Sequence, residues 1–274
     1  MNVSVIVTTY NRPDALKKVL DGLLHQTRCP DEIIVADDGS GKETAAMLAP
    51  YLARKDIRIV HVWQKDEGFR LSRIRNKAIR AATGEYLVIM DGDCIPEPHF
   101  IEDHEHLAQA GCFFQGKRVL VNAALEKDFA FHHIQSDLKL LWYALRGKIS
   151  NSHHIFRIGF FPSYTTKRLS GVRGCNMGFF KKDLFLINGY NQDITGWGRE
   201  DQELVVRLYK YGLKRKENPF RAICYHLWHP QNSRDNLDQN DQIMRDVLKA
   251  ESYHCKSGLA QLAKSAENEN CGKG

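Results

Sequence analysis

The sequence predicts an α/β protein built on a mostly parallel, doubly wound sheet. Two observations predict it. First, short apolar runs rich in β-branched residues alternate with stretches whose apolar residues recur at helical spacing, from Val3 to Met90. Strands alternating with helices build parallel sheets. Second, these runs end in polar tips: Thr8-Thr9-Tyr10-Asn11, Asp37-Asp38-Gly39-Ser40 and Asp91-Gly92-Asp93. In such sheets ligands bind outside the carboxyl ends of the strands, so three loops distant in sequence should open on one crevice.

Val3 to Thr8 is the first strand. Asn11-Arg12-Pro13 then offers a cap and a proline suited to a first helical turn. Leu16, Val19, Leu20, Leu23 and Leu24 line one face of that helix. Glu32 to Ala36 is the second strand, and a helix covers part of Glu43 to Ala53 with Pro50 as its weak point. Ile57 to Trp63 is the third strand; Leu71, Ile74, Ala78, Ile79 and Ala82 mark a third helix; Tyr86 to Met90 is the fourth strand. Beyond it, residues 113–170 are harder to read, with a helix expected around 124–146. The pairs His132-His133 and His153-His154 lack the spacing of a helical metal site and read as surface or packing residues.

The 274 residues suffice for one large α/β domain or two small ones, and 43% hydrophobic with 26% charged residues are globular values. A net charge of +6 without a polybasic block reads as a solvated charged face, not a nucleic-acid surface. Seven cysteines, an odd number without a C-x-x-C pair, argue against a disulfide framework and a zinc ribbon, and for reduced thiols. The N-terminus runs straight into a strand, and no apolar stretch approaches the ~20 residues that span a bilayer. The expectation is a soluble cytoplasmic protein.

The chemistry concentrates in three places. Tyr86-Leu-Val-Ile-Met-Asp91-Gly92-Asp93 is a buried strand tipped by two carboxylates, suited either to an ordinary turn or to a hard cation beside phosphate oxygens. Gly171 to Gly178 is glycine-rich but lacks the spacing of a phosphate-binding loop, leaving a bulged strand or a close substrate approach. Trp197-Gly-Arg-Glu200-Asp201 precedes helically spaced Leu204, Val205, Leu208 and Tyr209. Acidic residues in a first helical turn are favoured by the helix dipole. They also suit a general base beside an aromatic platform for a sugar ring. Phe220 to His229 is a further strand ending in polar groups, among them His226 and His229.

Together these residues resemble family 2 glycosyltransferases of the GT-A fold over roughly residues 2–230. The first half matches through Val3 to Asn11, Val35 to Ser40, Arg75-Asn76-Lys-Ala78 and Asp91-Gly-Asp93. The second half is similar to the galactosyltransferase-type segment of bacterial chondroitin polymerases and animal β-1,4-galactosyltransferases. It matches through Asn188-Gly-Tyr190, Gly196-Trp-Gly-Arg-Glu-Asp201 and Tyr225-His226. The resemblance implies a nucleotide-sugar-binding half at 1–112 merged with a smaller acceptor-binding and catalytic half at 113–230. Residues 231–274 follow as a helical extension and a tail frayed after about 264.

It also implies roles. Thr8 and Tyr10 would line the base pocket, with Asp38 on the uracil edge and Arg75 and Asn76 near the ribose and diphosphate. Asp91 would face the ribose and metal, and Asp93 would ligate Mn²⁺ (or Mg²⁺) directly. His226 would add a ligand from the second half, with His229 in its place in another register. Trp197 and Glu200 would hold the acceptor sugar, and Asp201 would be the base. The implied activity is metal-dependent, inverting transfer of one sugar from a UDP-sugar to a glycan or lipid-linked saccharide, as in lipopolysaccharide, O-antigen or capsule synthesis. Peripheral contact with the cytoplasmic face of the inner membrane fits such acceptors; Gln242 to Leu262, an amphipathic segment, reads first as a helix packed on the domain. The Golgi relatives' membrane anchor and disulfides have no counterpart here, and the length allows one catalytic domain, so single transfer is expected rather than polymerisation. A nucleotidyltransferase making NDP-sugars would need a glycine-rich loop with a basic residue soon after the first strand, which Thr8 to Pro13 does not supply. A non-catalytic nucleotide binder would need neither Asp201 nor the Asp91/Asp93 pair.

Overall fold

The computed structural model describes residues 1–231 and 233–262. The alternation expected of the first ninety residues is present: β1 (Val3–Thr9), α1 (Pro13–Leu24), β2 (Glu32–Asp37), α2 (Lys42–Leu52), β3 (Arg58–Trp63), α3 (Leu71–Ala81) and β4 (Tyr86–Asp91). Then come β5 (Cys94–Pro96), α4 (Phe100–Leu107), β6 (Cys112–Gln115), β7 (Lys117–Val121), α5 (Ala123–Glu126), α6 (Phe131–Ile134), α7 (Asp137–Leu145) and β8 (Ile149–Ser150). The remainder is β9 (Tyr164–Thr166), β10 (Asn176–Phe180), α8 (Lys181–Leu186), α9 (Glu200–Tyr211), β11 (Lys214–Glu217), β12 (Ile223–His226) and α10 (Leu237–Lys249).

The large sheet runs β3-β2-β1-β4-β10-β6-β11-β9. Its first four strands are parallel, whereas β10 lies antiparallel between β4 and β6. Register sets Thr8 of β1 beside Asp91 of β4, and Thr9 beside Asp37 of β2. The three polar tips therefore share one edge, as topology required. Helices cover both faces, so successive residues of one strand enter opposite cores. Val3, Val5 and Val7 pack with α1, while Ile6 packs with α3 and α9 residues. Burial on both faces is why these strands read as continuous apolar runs.

A second sheet, β5-β12-β7-β8, joins the two halves. β12 runs antiparallel to β5, with His226 opposite Cys94. The Leu227 amide donates to the Asp93 carbonyl at 2.9 Å. This pairing carries a residue 133 positions further along the chain to the carboxylate tip.

Three expectations change. Asn11 does not cap α1; it has a left-handed backbone (φ 48°), and its Oδ1 accepts from the Gly41 amide at 2.9 Å. It ties the first tip to the second. The helix expected around 124–146 is three short ones, because Asn122 and Ser136 each cap a new start, accepting from the Leu125 and Lys139 amides. The C-terminal helix lies earlier than Gln242 to Leu262, spanning Leu237–Lys249; Lys210 of α9 donates to its Val247 carbonyl, and its Asn240 bonds the loop before α9. The tail after about 264 lies outside the described residues. No described helix is long and apolar enough to cross a membrane, and the six described cysteines are free.

Candidate active site

The β4 tip turns through Gly92, whose amide donates to the Thr8 carbonyl at 2.7 Å. The turn points Asp91 and Asp93 in different directions. Asp91 Oδ1 accepts from Thr8 Oγ1 (3.2 Å) and Arg75 Nη2 (3.2 Å). Burial pushes its carboxyl up to about 7 against the opposing pull of Arg75, although part of the side chain faces the crevice.

Asp93 instead meets the end of β12. One ligand atom each from Asp93, His226 and His229 lie within 4.8 Å of one another. Both imidazole Nε2 atoms stand 3.6 Å from Asp93 oxygens. Burial holds the His226 pKa down, against the pull of Asp93, which favours the neutral ring that ligates metals. His226 and His229, expected as alternatives, are thus brought together. Asp91, expected as a ligand too, lies outside this cluster because Thr8 and Arg75 engage it. One carboxylate and two imidazoles make a mixed O/N donor set, which fits Mn²⁺ better than Mg²⁺.

Asp201 arrives from the second half. Its carboxylate lies against the Gly174 backbone so closely that a Cβ there would stand 2.1 Å from Oδ1. Gly174 therefore makes room for a carboxylate of the protein itself, where the glycine-rich stretch had suggested substrate approach or a bulge. Arg75 Nη1 donates to Asp201 Oδ1 at 2.8 Å, and the same guanidinium lies 5.1 Å from the centre of the Tyr190 ring. One buried arginine thus joins Asp91 of the first half to Asp201 of the second.

The loop before α9 is shaped by Gly198 (φ 108°) and Arg199 (φ 77°). Asn240 of α10 holds it, its Nδ2 donating to the carbonyls of Thr195 and Gly198 at 3.0 Å each. Glu200 Oε2 accepts from the Gly198 amide at 2.9 Å and the side chain is buried. Trp197 is exposed at the rim, with Arg234 over its ring at 5.4 Å. α9 is oriented by buried Arg207, which binds Glu203 and the carbonyls of Ile187 and Gly189.

Four donor-site expectations change or narrow. Asn76 is fully buried and both its amide atoms bond the Tyr190 backbone at 2.8 Å, so it pins α3 to the 188–190 turn instead of facing a ribose. Arg75 is likewise buried and brackets carboxylates. Thr8 is buried and turned to Asp91. Asp38 accepts from Gln64 Nε2 at 2.5 Å and the Arg70 amide at 2.8 Å, fixing the loop that follows β3. Tyr10 alone of these projects from the edge, its hydroxyl donating to Asp66 at 2.9 Å. Sequence reasoning missed Arg12, whose Nη1 donates to Asp93 at 2.6 Å while Nη2 reaches Glu126 and the Trp228 carbonyl. Its place at the tip of the first strand was the available signal.

Burial pushes the Glu200 carboxyl up to about 7, neighbouring Asp201 adding to the rise. An acid raised in this way favours folding while protonated and loses that advantage as pH rises from its unfolded value of 4.5 through about 7. Glu200→Gln keeps the neutral form and the acceptor oxygen. It is expected to match wild type near about pH 4 and to become more stable by roughly 2–3 kcal/mol at about pH 8. Melting curves of both proteins across that range test this; a gap independent of pH would refute the assignment.

A mixed sheet with polar strand tips and the Asp93, His226 and His229 cluster gathered at one edge is the architecture of the GT-A fold, and comparison with solved structures gives that fold. S. aureus TarS residues 1–349, solved with UDP, superposes with a TM-score of 0.63 at 17% identity, covering 95% of this chain and 68% of that one. A mannosyltransferase from Pyrobaculum calidifontis, solved with GDP-Man and Mn²⁺, gives 0.56 at 18% identity over 84% and 58%. Residues 4–169 match glycosyl transferase family 2, and residues 156–230 match the N-terminal domain of galactosyltransferase. The chain belongs to glycosyl transferase family 2. It is 29% identical to chondroitin synthase of Escherichia coli over 238 residues, 82% of this chain and 34% of the relative. It is 31% identical to hyaluronan synthase of Pasteurella multocida over 231 residues, 77% and 23%. The chain thus spans about a third or less of these synthases' length.

Proposed function

We propose that this chain is a metal-dependent, inverting glycosyltransferase that moves one sugar from a UDP-sugar to a hydroxyl of a glycan or lipid-linked acceptor, in lipopolysaccharide, O-antigen or capsule synthesis. The observation that carries the reading is the Asp91–Arg75–Asp201 bracket beside the Asp93, His226 and His229 cluster. It unites a diphosphate-side group with a candidate base in one crevice. UDP in the TarS complex and Mn²⁺ in the mannosyltransferase complex support the donor and cation.

Asp201 accepts the acceptor hydroxyl proton as that oxygen bonds the anomeric carbon and the bond to the UDP oxygen breaks. Attack from the face opposite UDP turns an α-linked donor into a β-glycoside. Asp93, His226 and His229 would hold Mn²⁺, which supplies charge neutralisation for the departing diphosphate. Trp197 and Glu200 hold the acceptor at the base, Tyr10 closes the rim of the base pocket, and the reaction takes place on the cytoplasmic side.

The test is a thermal-shift screen of UDP-sugars with Mn²⁺, followed by UDP release with candidate acceptors. One donor is expected to stabilise the protein, by ~2.7 kcal/mol at a hundredfold excess over Kd. EDTA and Asp93→Ala are expected to remove that stabilisation. Donor binding that survives both would sink the metal assignment, and pyrophosphate exchange without UDP release would sink the transfer reaction.

A further inference from the structure

Helix α7 is apolar on both sides. Its inner face, Leu140 and Tyr143, is buried, with the Tyr143 ring 6.3 Å from that of Phe129. Its outer face carries Leu138, Leu141, Trp142 and Leu145, spaced i, i+3, i+4 and i+7, at 82, 41, 46 and 80% exposure. A helix apolar all round is ordinarily buried, and a contiguous exposed apolar stripe marks an interaction surface.

The charges around the stripe select its occupant. Lys139, Arg146 and Lys148 flank it, and among the described residues none of the three forms an ion pair. The Arg146 guanidinium and the Lys148 ammonium lie 5.1 and 5.6 Å from the Trp142 ring. Asp137 is the one acid of the helix, at its first position. Two copies of this face paired about a two-fold axis would set like charges against one another. Lysine is also depleted from protein interfaces. Leucines and a tryptophan ringed by cations fit the headgroup boundary of an anionic bilayer, where apolar groups insert and cations stay at the surface.

We infer that α7 is a membrane-docking helix that lays Leu138, Leu141, Trp142 and Leu145 into the headgroup region of an anionic lipid surface. This surface is distinct from the C-terminal helix, which the sequence reads first as packed on the domain. It lies on the side of the reaction centre: α5, two helices earlier, reaches Arg12 through Glu126 at 3.4 Å, and Phe129 packs on Tyr225, the neighbour of His226. Docking there holds the crevice next to a lipid-borne acceptor. The inference deepens the lipid-linked part of the function proposed above. Its test needs neither donor nor acceptor, so its failure leaves sugar transfer standing.

The experiment is co-sedimentation of the full chain with phosphatidylcholine vesicles, with and without phosphatidylglycerol. Wild type is expected to bind the phosphatidylglycerol vesicles and to be released by salt. Leu138→Glu with Leu145→Glu, both exposed, is expected to keep its melting temperature and lose at least about tenfold in partitioning. Brominated lipid is expected to quench wild-type fluorescence more than that of Trp142→Phe. Wild type that stays in the supernatant, or a double variant that binds equally, overturns the inference. So does a wild-type dimer, seen by light scattering, that the double variant dissolves, since the face would then join two copies.

Discussion

Asp201→Asn is expected to lower kcat by ~10²–10⁴-fold, the range typical of a positioned general base, with donor affinity unchanged within a small factor. The reason for the split is geometric. Asparagine keeps the shape that fits against Gly174, and its carbonyl oxygen still accepts from Arg75 Nη1, whose present bond to Oδ1 is 2.8 Å. What it loses is the capacity to take a proton. The Asp93, His226 and His229 cluster is not touched by the substitution. Single-turnover rates with saturating donor, paired with calorimetric titration of the donor, separate the two effects. A variant that turns over at the wild-type rate would remove Asp201 from the reaction. One whose loss lies wholly in donor affinity would make it a binding group.

The carboxyl-edge location of the site was legible because it follows from chain topology alone. Parallel strands put their ends on one side whatever their side chains do, and Thr8 sits beside Asp91 and Thr9 beside Asp37 as a result. The approach of Asp93 to His226 was legible only through resemblance, since it depends on the antiparallel pairing of β5 with β12, strands far apart in the sequence. Side-chain partners were not legible. Asn76 and Arg75 are adjacent and both polar, yet one spends its amide on the Tyr190 backbone and the other its guanidinium on two carboxylates. Residues 113–170 stayed opaque for a different reason. Their helices are four to nine residues long, too short for periodicity to declare, and their order comes from caps and aromatic packing around Phe129.

Arg75→Met is expected to be the most damaging single change to the fold around the site. The side chain is 1% exposed and pairs with Asp91 and Asp201 at 3.2 and 2.8 Å. Removing one partner of a buried ion pair costs ~3–5 kcal/mol because the remaining charge stays buried and unpaired. Here the carboxylates keep 33 and 20% exposure and can draw on crevice water, so about 2–3 kcal/mol is expected. Methionine fills most of the volume over the Tyr190 ring, which confines the loss to charge. Urea unfolding of Arg75→Met, Asp91→Asn and the double variant apportions it. The double variant is expected to be more stable than the sum of the two single losses allows, because Asp91→Asn removes a carboxylate that Arg75→Met strands. Additive losses would mean that Arg75 acts through Asp201 alone. Transfer activity distinguishes that case: if Arg75 serves only the fold, donor turnover per folded molecule survives, whereas a bracket that sets the base against the diphosphate side loses turnover even under conditions where the variant is fully folded.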